Sequence, residues 1–344
     1  MTITTGSSQF LQLYSCSRWR IIWAASLLLL GLSGIVFLSL TKGSVALTSE
    51  EIMAAALRQG SDVNQTIFWD LRLPRVLAAL IVGAALGLSG ALLQGMLRNG
   101  LASPFLLGIS AGAGLMVVLM VGLNLLQVWV PFGAWLGAVM TTLLVYMLAR
   151  TGTTLSIERL ILGGVAFSSL FGAIQSLLLL NSPDGQFQAA LNWLIGSLNG
   201  RGWAEVTIAG PSVLVAAIVG CLLARQVNVL CLGDDLAMGL GTSLVRSRCL
   251  IGAVATLLAA GAVSIAGLVG FVGLIVPHGV RLLVGTDYRL VLPFSTLAGA
   301  FVLAGADLLA RLGPVELPVG GVTAILGAPM FIWLLYRRRV LGGQ

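Results

Sequence analysis

Few residues in this chain can do chemistry, and their surroundings limit what that chemistry is. Asp307 and Arg311 stand one helical turn apart at the end of an apolar run. An i,i+4 ion pair is the simplest reading, contributing only about 0.3–0.5 kcal/mol at an interface. The stretch Asp70-Leu71-Arg72-Leu73-Pro74-Arg75 precedes another apolar run. It reads in two ways: a polar lip with Pro74 in the first helical turn and snorkelling arginines, or a docking site for an acidic external partner. A third segment, Leu232-Gly233-Asp234-Asp235-Leu236-Ala237-Met238-Gly239-Leu240-Gly241, suits a short helix whose first-turn acids favour the helix dipole. The same acids, small residues and Leu-Gly also make a knob able to enter another protein's groove.

The missing groups narrow the function further. Lys42 is the only lysine and His278 the only histidine, and no G-x-x-x-x-G-K-[ST] or H-E-x-x-H occurs. Cys16, Cys221, Cys231 and Cys249 show no C-x-x-C spacing, so neither a metal cage nor a disulfide framework is expected. No cofactor is expected on the chain, and no catalytic team is present for an intramembrane enzyme. Asp307 is the one acid expected inside a span. Proton- or sodium-driven carriers keep ionisable or polar groups at mid-membrane, so uphill transport here would draw its energy from another subunit.

The elements that position these residues follow from composition. The chain has 344 residues, 58% hydrophobic and 9% charged, against roughly 25% charged in soluble domains; its mean hydropathy is +1.02. Lipid is the solvent for most of it, which predicts an all-α polytopic membrane protein. About ten spans are expected, at 19–40, 76–96, 105–122, 130–149, 160–180, 206–225, 248–268, 270–285, 292–310 and 319–336. The eighth is interrupted by Gly267, Gly270, Gly273 and Pro277. The first run exceeds the roughly 7–15 residues of a signal peptide's apolar core and reads as an anchor. Residues 1–18 and 339–344 form tails around a single membrane domain over 19–338.

Lys42, Arg58, Arg72, Arg75, Arg201 and Arg311 fall in one set of alternate loops, and the other thirteen of the 19 Lys and Arg in the opposite set. That split predicts both termini in the cytoplasm. Arg is scattered singly, with no basic face for nucleic acid. The spacings Gly83/Gly87, Gly108/Gly112 and Gly133/Gly137 predict close helix packing. Similar Gly-rich blocks begin at Leu77 and Leu257, five spans apart, so spans 2–5 and 7–10 form a possible inverted repeat.

With these segments in view, residues 65–338 resemble the FecCD-like permease subunits of type II ATP-binding-cassette importers for ferric siderophores, haem and cobalamin. The resemblance is carried in order by Arg72-Leu73-Pro74-Arg75, Gly83–Gly90, Gln94, Arg98-Asn99 and Ser103-Pro104. It continues through Gly233–Gly241, Gly270–His278, Arg281, Ala306-Asp307, Arg311, Glu316–Gly320 and Gly327-Ala328-Pro329. One departure is Gly100, where the family has proline; it is expected to loosen the loop after span two.

The resemblance implies ten spans and a homo- or heterodimer of permeases around a central pathway. It also implies two separate ATPases that bind ATP and Mg, and an external binding protein that delivers a metal chelate. Arg72, Arg75 and Arg311 would meet acids of the binding protein. A coupling segment at about 230–243, with Gly233, Asp234, Asp235, Ala237, Leu240 and Gly241, would contact the ATPase. Gln94, Asn99, Pro104, Pro277, His278 and Arg281 would be structural. The bacterial inner membrane is the implied location. Asn192–Gly200 resembles the siderophore branch, favouring a ferric siderophore over haem or cobalamin. A stand-alone secondary carrier or channel is the rival from another class.

Overall fold

In lipid, every backbone N–H and C=O must find its partner inside the protein, so apolar runs of this length become helices. A computed structural model describes residues 18–341 apart from positions 44, 46, 126, 152, 153 and 314; Cys16 and most of the two tails lie outside the described residues. Ten apolar helices occur: α1 (Arg18–Thr41), α4 (Leu73–Met96), α5 (Ile109–Gly122), α6 (Val130–Ala149), α7 (Ile157–Leu180), α9 (Trp203–Leu222), α12 (Leu244–Ala266), α13 (Val272–Val284), α14 (Tyr288–Ala310) and α15 (Val319–Leu341). They match the ten predicted runs. Among the described residues seven are long and apolar enough to cross a membrane, whereas α5, α13 and the apolar part of α15 (Val319–Trp333) are shorter.

Among the described residues four smaller helices were not foreseen, α2 (Ser49–Ala56), α3 (Asp62–Thr66), α8 (Asp184–Ile195) and α10 (Ala224–Cys231), while α11 (Asp234–Gly239) is the short helix expected there, with both acids in its first turn. The only sheet among the described residues pairs Arg150–Thr151 with Thr154–Leu155. Pro74 falls in the first turn of α4, as expected, although the chain is already helical before it. The helix runs on from Asp62 through a π-helical turn at Ile67–Arg72 into α4. A proline offers no N–H and crowds the carbonyl four residues back, and the wider turn accommodates both.

Helix α4 is the hub, packing on α12, α13, α9 and most extensively on α14. Backbone meets backbone at this last crossing, because a Cβ on Gly83 or Gly87 would collide with carbonyls of Gly299 or Ser295. Gly112 and Gly137 bring α5 and α6 together in the same way. The packing has a pattern that local sequence does not state. Helix α4 packs on α14 as α12 packs on α6; α5 packs on α6 and α7 as α13 packs on α14 and α15. Exchanging α4, α5, α6 and α7 with α12, α13, α14 and α15 reproduces those contacts, as the proposed inverted repeat requires. Both short helices follow broken segments: a 3-10 turn at Pro104–Leu107 before α5, and the non-helical stretch after Ala266 before α13. The expected interruptions of span eight are thus divided. Gly267 and Gly270 precede α13, while Gly273 and Pro277 lie inside it.

Candidate functional site

Charged residues gather at the two ends of the bundle. At one end α4 supplies Arg75 and α14 supplies Asp307 and Arg311. The Asp307 carboxylate is 1% exposed and receives Arg75 Nη2 at 2.8 Å and Arg311 Nε at 3.1 Å. Arg75 also meets Glu316 at 2.5 Å, and Arg311 Nη1 donates to the Ser39 carbonyl at 3.3 Å. The Asp307–Arg311 pair is therefore no exposed helix-surface pair but half of a buried three-way cluster. In such surroundings a carboxylate and guanidinium each depend on the other for solvation.

Arg72 is placed differently from the expectation that it faces outward. It is buried and donates to the carbonyls of Leu40 (2.5 Å), Thr41 (3.1 Å) and Val45. Leu40 and Thr41 close the C-terminal end of α1, where carbonyls lack intrahelical partners and a cation complements the helix dipole, and Val45 lies just beyond it. Arg72 ties the first helix to the hub. All three arginines expected at an outer rim point into this chain.

At the other end, Gly233 at φ 109° turns the chain into α11, a conformation open to glycine. Asp234 then receives Arg98 at 3.1 Å and Arg248 at 2.8 Å. Arg98 follows α4 and Arg248 belongs to α12, so one carboxylate fastens α11 to the first helix of each repeat. Ala237 is buried against the bundle, while Leu236 (62% exposed), Met238, Leu240 and Asp235 face away from it. Gly241 at φ 78° closes the segment. The predicted set thus divides: Asp234 and Ala237 anchor, Gly233 and Gly241 shape, and Asp235 and Leu240 present outward. Leu232, Leu236 and Met238 belong to the exposed apolar face and were missed, since a six-residue helix is too short to show a 3.6-residue period.

The predicted structural residues form a stitch between these ends. Gln94 accepts from Arg281 Nη2 at 2.6 Å and donates to the carbonyls of Ala102, Gly273 and Leu274 at 3.1–3.3 Å. One buried amide so joins α4, the loop after it and the start of α13. Pro104 abuts Gly273, Pro277 lies within α13, and His278 is half-buried near Arg281 on that helix. Asn99 accepts from the Leu101 N–H at 2.9 Å, and Ala102 N–H bonds back to Asn99 O at 3.0 Å. Gly100 thus sits within a closed turn instead of loosening the loop.

A helical hub crossed by glycines, a broken helix in each half and an anchored apolar projection agree with the family match. Residues 28–337 match the FecCD transport family. The chain belongs to that family. It is 42% identical over 289 residues to the cobalamin import permease BtuC of Halobacterium salinarum, covering 83% of this chain and 78% of that one. It is 38% identical over 322 residues to the hemin transport permease HmuU of Yersinia pestis, covering 91% and 96%. The Fe(3+) dicitrate permease FecD of Escherichia coli is 38% identical over 314 residues, covering 90% and 97%. Among solved structures, a metal-chelate type ABC transporter in an inward-facing conformation superposes with a TM-score of 0.80 at 31% identity, covering 90% of this chain and 97% of that one. The protein is a multi-pass ABC importer permease.

Proposed function

We propose that the permease carries a ferric siderophore from an external binding protein into the bacterial cytoplasm, without covalent chemistry of its own. Two permease subunits, identical or paralogous, form the pathway in the inner membrane with both termini inside. Two ATP-binding-cassette subunits bind ATP and Mg and push on α11. The observation that carries this reading is α11 itself: a projection with exposed Leu236, Met238 and Leu240 that Asp234 bolts to α4 and α12. Force applied there reaches both repeats at once, which suits alternating access by tilting of packed helices.

Docking of the binding protein belongs to the opposite end. Glu316 is the half-exposed member of the cluster, so a partner carboxylate could exchange with it on Arg75. Arg311 would hold Asp307 in place during that exchange, and Arg72 would keep α1 seated. This refines the sequence-based reading, in which all three arginines met the partner directly.

The test is uptake into proteoliposomes holding the permease, its ATPase and its binding protein, offered ferric hydroxamate, catecholate and carboxylate siderophores, haem and cobalamin. Accumulation of a siderophore, lost with an ATPase-dead partner, is the expected result. Haem or cobalamin accumulation alone would retain the machine and replace its cargo; the hemin and cobalamin permeases among the relatives favour that second reading. Uptake that persists without ATP would instead favour a carrier or channel that works alone.

A further inference from the structure

The break between α12 and α13 is a short joint between two anchored bodies. Upstream, Ser197 N–H donates to Ala266 O at 2.9 Å, and Gly320 N–H, at the start of α15, donates to Gly196 O at 3.0 Å. A side chain on Gly196 would strike the Leu268 carbonyl, and one on Gly267 that of Trp193. Residues 266–268 are therefore fastened to the end of α8 and the start of α15. Downstream, the carbonyls of Gly273 and Leu274 accept from the buried Gln94 amide of α4, and a side chain on Gly90 would strike Gly273. Val269, Gly270, Phe271 and Val272 are all that connects the two anchors.

The strain of this joint sits on one residue. Phe271 has φ 66° and ψ −31°, and the Val272 N–H donates to Gly270 O at 2.8 Å. A hydrogen bond between residues two apart, around a positive φ, makes a γ-turn of the rare and strained kind. For a bulky side chain that backbone is an outlier. The first turn of α13 hangs from the same residue, because the Leu274 and Ile275 N–H groups donate to Phe271 O at 3.0 and 2.9 Å.

A strained residue persists where its surroundings over-determine it, and here α15 does so. A Cβ on Gly327 would come within 2.5 Å of Phe271 Cβ and 2.7 Å of its Cγ. The backbone of α15 thus lies directly on the phenylalanine. A side chain on Gly270 would meet nothing within 4 Å among the described residues, so the turn has room to change shape. The first repeat follows the same plan without the strain. Helix α5 also starts from a residue of positive φ, Gly108 at 75°, and Gly164 of α7 abuts the Leu106 carbonyl as Gly327 abuts Phe271. Glycine adopts that backbone freely. The two repeats match in shape and differ in stored strain.

We propose that Phe271 is a spring-loaded hinge of the transport cycle. Helix α15 clamps its γ-turn in the conformation described here. When α15 tilts away, the turn relaxes to negative φ and α13 swings relative to α12. The spring belongs to the second repeat alone, so the two halves move unequally. The inference rests on the alternating-access reading above.

Phe271→Gly and Phe271→Ala both remove the ring, but only glycine accepts the positive φ without strain. In lipid nanodiscs holding the permease and its ATPase, the glycine variant should unfold about 2–4 °C above the alanine variant. In proteoliposomes the order should reverse. ATP-driven chelate uptake should be about threefold lower for glycine than for alanine, because a relaxed turn no longer favours leaving this conformation. A glycine midpoint at or below that of alanine would mean no strain to release and would overturn the proposal. A higher midpoint with equal or faster uptake would mean strain that transport does not use, and would overturn it as well. If neither variant folds, the wild-type complex decides by hydrogen exchange. The peptide containing Val272 should exchange its amide hydrogens faster during ATP turnover than with ADP, as the bond to Gly270 opens; equal exchange would remove the hinge. Absence of any chelate uptake by the wild-type complex would strike the transport reading instead, and the exchange comparison would still decide the hinge.

Discussion

The two charged clusters are built from the same residue types and serve opposite purposes. Around Asp307, two guanidiniums converge on a carboxylate that is 1% exposed, and further donors go to Glu316 and to a carbonyl of α1. Around Asp234, two guanidiniums again share one carboxylate, but it is 35% exposed and the helix it anchors offers its apolar face to solvent. The first arrangement locks helices that must remain together. The second fixes one side of a small helix and leaves its apolar side open. Burial, not residue type, separates the two clusters.

Breaking each cluster should separate them by consequence. The largest effect is expected from Asp307→Ala, which leaves Arg75 and Arg311 without their shared acid; a loss of about 3–5 kcal/mol is typical of an orphaned buried charge. The measurement is the thermal midpoint in detergent. A midpoint within about 2 °C of the parent would show the cluster to be well solvated and dispensable.

Asp234→Ala should leave that midpoint nearly unchanged and lower ATP-driven uptake about tenfold, equivalent to about 1.4 kcal/mol. Ionic strength sharpens the contrast. At about 1 M, where the screening length is about 3 Å, the Asp234 latch should weaken while the Asp307 cluster holds. Uptake of Asp234→Ala equal to the parent would remove the latch from the mechanism.

A smaller change is expected from Leu236→Glu, on the outward side of α11. It should weaken ATPase association by roughly 1–2 kcal/mol, read by pull-down titration, without altering the fold. Undiminished association would place the contact elsewhere. The smallest effect is predicted for Thr48→Ala, at the N-cap of α2. Thr48 and Glu51 form a reciprocal capping box, and its loss should lower stability by about 1 kcal/mol with no change in uptake. The Glu51 carboxyl is held below its usual range by the Thr48 backbone N–H and hydroxyl. The cap is therefore present above the unfolded-state value and fades as pH falls through the folded one.

Much of this was legible from residue order. All ten apolar helices begin within four residues of their predicted starts, because hydropathy is a local sum. Where boundaries moved, a specific residue moved them. Gly108 at φ 75° and the 3-10 turn before it delay α5 to Ile109, and the widened turn ahead of Pro74 extends the second helix outward. The signal for α2 was also present, as Thr48 followed three residues later by Glu51, but a search for apolar runs passes over it. The direction of Arg72, Arg75 and Arg311 was not legible. Arginine in a loop beside a span reads the same whether it faces a partner or a carbonyl.

The order of amino acids alone determined that this is a helical membrane protein, where its helices lie, which glycines pack them and which segment makes a knob between two spans. Each of these depends on properties summed over one turn or one span. Only the tertiary structure decided that Asp307 is shared by two arginines, one of them 232 positions away, and that Asp234 joins two repeats. Hydrogen bonding and burial are properties of what folding brings close, and no local pattern encodes which distant group will be there.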